Sequence, residues 1–440
     1  MIVLKQHKKT AIFLVSIFIA AFIIRFIFVI SLPPQAMYPD ETGYFNIAKN
    51  LCNGKGYTNK GIEEREQPFF SGKNLNTKDS FVFVPGPVFV LAFLECTVGH
   101  GVKIYRIIQS FITSFLPIFV FFLSIRLFES KKIAYIAAIV TAAYPYYIYI
   151  SSLFIPQTIF SVLLVLTLYF FVSWLKEGRM IWLIMTGFVN GIGCLFVVPM
   201  IFTLIPICLI ILYRSGFKAV SLTNLITLIA CWAVVAGSYM TYASIKNGQF
   251  IMIEKSEGKL LLTYNYPGVS GFDVLSHSID RNAHAKINRL YEDLKRSSGK
   301  ESVSLEFLKR IIIEQPLFFI RNCFLRLIAL FSPITYTMTT QKISSWANII
   351  GFTIYFPLFL LSIAGLLKMS LHRNWIGLQL CSLLIFFLIP YIIMIGNTRY
   401  RLPWDSIIII FAIYFITDKY SIIFNRIFKR TSKESMEMSR

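Results

Sequence analysis

The chain has 440 residues, 56% apolar and 15% charged, with a mean hydropathy of +0.65. A soluble domain averages about 45–50% apolar and about 25% charged. A water-soluble globule is therefore excluded, and apolar runs longer than about 18 residues favour crossing helices over the short alternating segments of a β-barrel. The net charge of +21 would suggest nucleic acid in a soluble chain. Here the cations gather at the ends of apolar runs, as the positive-inside rule requires, so no nucleic-acid partner is implied. The remaining cations attract membrane lipids or a phosphate-bearing substrate.

Lys5, Lys8 and Lys9 precede an apolar run over 11–32, too long for a signal-peptide core and read as an uncleaved signal anchor. With the basic terminus inside, this span delivers a loop, residues 33–102, to the outer side. The loop contains Pro85, Gly86 and Pro87 within an apolar stretch over 81–99, expected to be a helix at the outer interface. Spans follow at 104–127, 133–150, 154–175, 180–196, 199–213 and 219–243. A second outer segment, 244–344, is expected to combine short strands near 249–264, a charged helix near 280–300 and an amphipathic interfacial helix over 316–336, in which Arg321 and Arg326 argue against crossing. Spans at 345–367, 375–395 and 404–424 complete a set of about ten. Each inward crossing ends on cations. The expected organisation is an N-terminal transmembrane module (1–243), an extracytoplasmic mixed α/β segment (244–344) and a C-terminal transmembrane module with a basic cytoplasmic tail (345–440). The fold class is all-α polytopic membrane protein with interfacial helices. The seven cysteines lie mostly in apolar runs without C-x-x-C spacing, so neither a metal site nor a disulfide framework is expected.

Five constellations could carry chemistry. Asp40 and Glu41 open a short helix whose apolar face is Tyr44, Ile47, Ala48 and Leu51 and whose end is marked by Gly54. They are candidate catalytic acids, or acids complementing the helix dipole. Arg25 lies inside the first span, either paired in a functional role or snorkelling to the near interface. Arg399 and Arg401 sit in a short outer loop against Pro403, suited to an anion or to lipid phosphates. Lys103 and Arg106 stand at the outer end of their span, where they could reach a phosphate or anchor the helix. Between the third and fourth spans, residues 142–160 are rich in tyrosine, which fits an aromatic belt, and are broken by Pro145 and Pro156.

The order of basic anchor, Asp40-Glu41 loop with Tyr44, Ala48, Leu51, Gly54, Gly56 and Tyr57, Pro-Gly-Pro helix, YPYYIYISSLFIPQ hairpin (144–157) and RYRLP (399–403) resembles the GT-C membrane glycosyltransferases. The similar branch contains the dolichyl-phosphate-mannose protein mannosyltransferases and the bacterial lipid A aminoarabinose transferase. Gln157 stands where that family commonly carries an acid, and Val198-Pro199 where an Arg-Pro pair is common. The resemblance implies sugar transfer from a polyprenyl-phosphate donor to an acceptor hydroxyl of a protein, lipid or glycan, with inversion, at the outer face of a bacterial inner membrane. In that reading Asp40 is the general base and Glu41 orients it or raises its pKa. Arg399, Arg401, Arg25 and Arg106 are candidates for the donor phosphate, and Tyr44, Tyr57 and Tyr400 for the substrate pocket. No cofactor is required by the residues, and a divalent metal is left open. The alternative is a polyprenyl-linked glycan or lipid transporter or polymerase. Against a transporter, the chain lacks two similar halves with broken helices near mid-membrane.

Overall fold

A helix crossing hydrocarbon satisfies its own backbone hydrogen bonds and presents apolar side chains wherever protein does not cover it. The computed structural model follows both requirements. It describes residues 2–31, 39–58, 81, 83–99, 101–216, 218–254, 302–334, 345–372, 375–394 and 396–417. Every regular element among the described residues is helical. In chain order these are α1 (Ile2–Ser31), α2 (Pro39–Cys52), α3 (Pro85–Val98), α4 (Gly101–Thr113), α5 (Leu116–Phe128), α6 (Lys131–Ala143), α7 (Pro145–Ser151), α8 (Pro156–Glu177) and α9 (Met180–Phe196). There follow α10 (Val198–Ser215), α11 (Ala219–Asn247), α12 (Ser302–Glu314), α13 (Pro316–Phe331), α14 (Ser345–Leu371), α15 (Trp375–Met394) and α16 (Thr398–Thr417).

Among the described residues, eight helices are long and apolar enough to cross a membrane: Lys8–Ser31, Lys103–Phe128 (α4 running into α5), α8, α10, α11, α14, α15 and α16. The other two expected spans differ from simple rods. α6 and α7 meet at a 50° bend, and α9 has only 17 residues. The bend falls at Tyr144-Pro145, where proline has no N–H to continue the α6 ladder.

α8 and α16 form the enclosed centre, most of the length of each being buried among the other helices. α1 lies at the periphery, where Ile12, Val15, Ile19, Ile23, Ile27 and Ile30 form an exposed stripe at three- and four-residue spacing. That face is apolar because its solvent is lipid. α9 packs against α11 through Gly187 and Gly191, where a Cβ would come within 2.6 Å of the Leu228 carbonyl and 3.0 Å of the Trp232 carbonyl. Small residues four apart let the two backbones approach.

The ends of α5 and α8 and the start of α9 share one polar cluster. Arg126 pairs with Glu177 at 2.5 Å and Lys176 with Glu129 at 2.7 Å. Trp182 Nε1 donates to Glu177 at 2.8 Å, and Lys176 holds the Glu129 carboxyl below its usual range. The opposite ends of Lys103–Phe128 and α8 converge on α2, so the two polar regions occupy opposite ends of the helical body.

α2 spans the expected helix and buries Tyr44, Ile47 and Ala48, with Gly54 at a φ of 73° closing it. α3 begins at Pro85, whose ring suits a first helical turn, and buries Pro85 to Val88, Leu91 and Ala92. A disulfide joins Cys52 to Cys96, with Cα atoms 5.4 Å apart. This corrects the expectation that no cysteines pair: the partners are 44 residues apart, beyond any local spacing pattern, and the stacking of α2 on α3 brings them together. Cys194, Cys208, Cys231, Cys323 and Cys381 are free thiols.

α13 has 16 residues, about 24 Å at 1.5 Å per residue, short of a hydrocarbon core of about 30 Å. Its exposed face carries Leu317, Ile320, Phe324 and Ile328, while Asn322 and Arg326 turn into the protein. Arg326 Nη1 donates to the carbonyls of Ile392 (3.3 Å) and Ile393 (2.6 Å), closing the end of α15. Burial brings its pKa down to about 10. Arg321 lies on the exposed side. Residues 249–254 are not strand. The rest of the expected strands, together with the 280–300 helix, lies outside the described residues.

Placing a side chain at the α9–α11 contact should overpack it. Gly187→Leu is expected to cost about 1–3 kcal/mol and to lower the thermal midpoint in detergent. Ile19→Leu on the lipid-facing stripe should leave that midpoint unchanged.

Candidate active site

The first turn of α2 carries Asp40 and Glu41. The Glu41 side chain is 1% exposed, and a buried carboxylate is strongly unfavourable unless paired and hydrogen-bonded. Both demands are met. Arg106 Nη2 on α4 donates to Glu41 Oε2 at 3.0 Å, and the backbone N–H of Phe154, in the turn joining α7 to α8, donates to Oε1 at 2.5 Å. Phe154 is wedged between aromatic rings, edge to Tyr105 at 4.0 Å and to Tyr44 at 6.0 Å. The Asp40 backbone is therefore fixed by its neighbour's contacts, while the Asp40 side chain lies outside the described residues.

Tyr44 and Tyr57 are each 5% exposed. Tyr44 packs on Phe83 at 4.8 Å, and the Tyr57 hydroxyl donates to the Phe83 carbonyl at 2.6 Å while its ring stacks on Phe81. Burial, reinforced by Tyr239, Tyr44 and Glu254, pushes the Tyr57 phenol well above its ordinary pKa. Tyr57 therefore contributes a neutral hydroxyl and a packed ring.

The four arginines have different surroundings. Arg25 is fully buried, and its Nη1 donates to the carbonyls of Ala21 (3.1 Å) and Ala142 (3.3 Å). Ala142 lies in the last turn before the Pro145 bend, where carbonyls lose their onward partners, so Arg25 supplies a donor at the break. Arg106 is held by Glu41. Arg401 is 1% exposed: Nε donates to Asp405 Oδ1 at 3.0 Å, Nη1 donates to the carbonyls of Leu330 (3.0 Å) and Ser332 (3.3 Å), and the guanidinium lies 3.5 Å over the Tyr355 ring. Arg399 is half-buried, with its guanidinium 5.2 Å from the Tyr400 ring, and Tyr400 stacks on Tyr391 at 4.2 Å. Lys103 is exposed.

Asp405 and Gln109 were not among the sequence candidates. Asp405 accepts from Arg401 and, on its other oxygen, from the Tyr144 hydroxyl at 2.7 Å. Its signal was the i, i+4 spacing from Arg401. Gln109, three residues after Arg106 and on the same helix face, donates to the carbonyls of Ser151 and Leu153. The tyrosines of the hairpin divide. Tyr149 is 36% exposed and fits the interfacial belt, whereas Tyr144 and Tyr147 are 2% exposed and bind Asp405 and the Leu402 carbonyl. Among the described residues no group of three or more His, Cys, Asp or Glu side chains converges on a metal-sized site.

A buried acid–arginine pair at one end of a multi-pass helical body, beside a bent tyrosine-rich hairpin, marks an all-α polytopic membrane protein, the fold class expected from the sequence. Residues 84–240 match the family described as dolichyl-phosphate-mannose-protein mannosyltransferase. The archaeal oligosaccharyltransferase AglB of Archaeoglobus fulgidus, solved in complex with an inhibitory peptide and a dolichol-phosphate, is similar in fold: TM-score 0.51 and 15% identity, over 96% of this chain and 51% of that one. The apo oligosaccharyltransferase of the same organism gives a TM-score of 0.52 and 16% identity over 96% and 52%. The present chain thus spans about half the length of those proteins. ArnT of Cupriavidus metallidurans bound to undecaprenyl phosphate is more distant, with a TM-score of 0.39 and 12% identity over 93% and 78%. No curated protein matches the chain by sequence. The family match and the AglB fold together bear out the GT-C resemblance.

Arg401 and Arg399 should respond differently to truncation. Removing one partner of a buried pair costs about 3–5 kcal/mol. Arg401→Ala is therefore expected to lower the thermal midpoint sharply or prevent extraction of folded protein, and Arg399→Ala, at a half-buried position, to lower it much less. A thermal melt in detergent distinguishes them, and equal midpoints would remove the structural role assigned to Arg401.

Proposed function

We propose that the protein is a membrane glycosyltransferase that moves a sugar from a polyprenyl-phosphate donor to an acceptor hydroxyl, with inversion, on the non-cytoplasmic face. The observation that carries this reading is the pinned first turn of α2: Glu41 is locked to Arg106 and the Phe154 N–H, so Asp40 is presented beside it from a fixed backbone. The acceptor oxygen attacks the anomeric carbon as its proton passes to the Asp40 carboxylate. The bond from that carbon to the phosphate oxygen breaks, and the polyprenyl phosphate leaves with the electron pair. A phosphate is already a good leaving group, so one general base and cations to hold the developing charge suffice. Glu41 orients the turn instead of exchanging the proton. Arg399, half-buried beside Tyr400 in the first turn of α16, is the phosphate contact in this reading, because a guanidinium presents a fork of N–H donors that matches a phosphate.

The Cys52–Cys96 bond supports the outward orientation, because disulfides persist in oxidising compartments. So does the basic cluster of Arg126, Lys176 and Arg179 at the other end of the helices. A cysteine introduced at Lys286 should react with an impermeant maleimide in whole cells. Labelling only after permeabilisation would invert the topology.

General-base contributions are about 10²–10⁴-fold, whereas a first-turn acid interacting with a helix dipole is worth only about 0.3–1 kcal/mol. Purified Asp40→Asn protein should therefore transfer sugar from a polyprenyl-phosphate donor at least a hundredfold more slowly, with an unchanged thermal midpoint. Transfer within fivefold of wild type would move the base elsewhere.

A further inference from the structure

α4 grips the site with two residues on one face. Arg106 reaches Glu41, and Gln109, three residues on, reaches the turn between α7 and α8. The Gln109 side chain is 1% exposed, and its Nε2 donates to the carbonyls of Ser151 at 3.0 Å and Leu153 at 2.6 Å. A primary amide has two N–H donors, and these two carbonyls account for both. Ser110 Oγ adds a longer contact to the Ser151 carbonyl at 3.4 Å.

The Leu153 carbonyl and the Phe154 N–H belong to the same peptide unit. In a trans peptide those two groups point in opposite directions, and no cis peptide bond is present among the described residues. Gln109 holding the carbonyl at one edge of that peptide therefore aims the N–H out of the opposite edge, where it meets Glu41 Oε1 at 2.5 Å. One peptide plane is clamped between a neutral donor and a buried carboxylate.

We propose that Gln109 is a positioning residue that acts through the Leu153–Phe154 peptide on Glu41, and through Glu41 on the turn of α2 that carries Asp40. Its effect on turnover rests on the sugar-transfer reading above. Its effect on the conformation of α2 does not. Small displacements at a reacting centre reduce rate more than binding, so loss of this clamp appears in kcat and not in the KM for donor.

Two variants test it. Gln109→Met keeps the length of the side chain and removes both donors. Hydrogen exchange on this variant should accelerate at 151–155 and also at 40–44, which the Leu153–Phe154 peptide links to Gln109 through Glu41, with a kcat about tenfold lower and a donor KM within about twofold of wild type. Acceleration confined to 151–155, or a raised KM with kcat unchanged, would reduce Gln109 to local packing and overturn the proposal. Gln109→Glu offers no donor while ionised and one O–H when protonated, so its kcat relative to wild type should climb as pH falls. A flat ratio would also overturn the proposal. Should Gln109→Met not extract in folded form, the pH series of Gln109→Glu, compared with wild type at each pH, decides between the positioning role and local packing. If wild type transfers sugar from no polyprenyl-phosphate donor, the proposed function fails, and the exchange data still decide the role of Gln109.

Discussion

The buried carboxylate of Glu41 is the constraint on which the rest of this end of the molecule depends. An ionised acid out of water is tolerable only with a cation and a hydrogen-bond donor in place, and here these come from two distant parts of the chain, Arg106 on α4 and the Phe154 N–H after α7. Those contacts fix three separate segments relative to one another before any substrate is considered. At its other end α2 is tied to α3 by Cys52–Cys96, and its face is filled by Tyr44, Ile47 and Ala48. The helix carrying Asp40 is thus held at both ends and along one side.

The same logic recurs in the second polar cluster. Arg401 and Asp405 form a buried pair completed by the Leu330 and Ser332 carbonyls, the Tyr355 ring and the Tyr144 hydroxyl. Both clusters converge on residues 142–154. Arg25 donates to Ala142, Asp405 accepts from Tyr144, Tyr147 donates to Leu402, Gln109 binds the Ser151 and Leu153 carbonyls, and Phe154 serves Glu41. Two breaks make this junction: the bend at Pro145 frees the Ala142 carbonyl for Arg25, and the turn between α7 and α8 frees the Ser151 and Leu153 carbonyls for Gln109 and the Phe154 N–H for Glu41, groups that an unbroken helix would keep for its own ladder.

The spans were legible in the sequence because hydrocarbon imposes length and apolarity on each one separately. α2 was legible because its apolar face repeats at helical spacing, and burial of Tyr44, Ile47 and Ala48 follows that pattern. The arginines were not, since a guanidinium that closes a helix break and one that grips a phosphate are the same letter in a sequence. What distinguishes them is the partner, and the partners lie far along the chain: 117 residues for Arg25 and Ala142, 65 for Arg106 and Glu41, and 71 for Arg401 and Leu330. Asp405 was within reach of local reading, four residues from Arg401. The cysteine pair was not, because nothing local links Cys52 to Cys96.

That cysteine pair bears on how the protein can be made. The bond closes a loop of 44 residues, and in the chain-entropy picture a closure of that length stabilises the folded state by about 4 kcal/mol, a large share of the margin by which an ordinary domain stays folded. Material produced in a cell-free reaction containing dithiothreitol, or solubilised with a reductant in the buffer, would lack the staple on the helix that bears the acids. Such a preparation would look intact by size exclusion, because the spanning helices are held by packing against one another, as at the α9–α11 contact, yet present a frayed α2. Oxidising production is therefore part of obtaining the molecule described here.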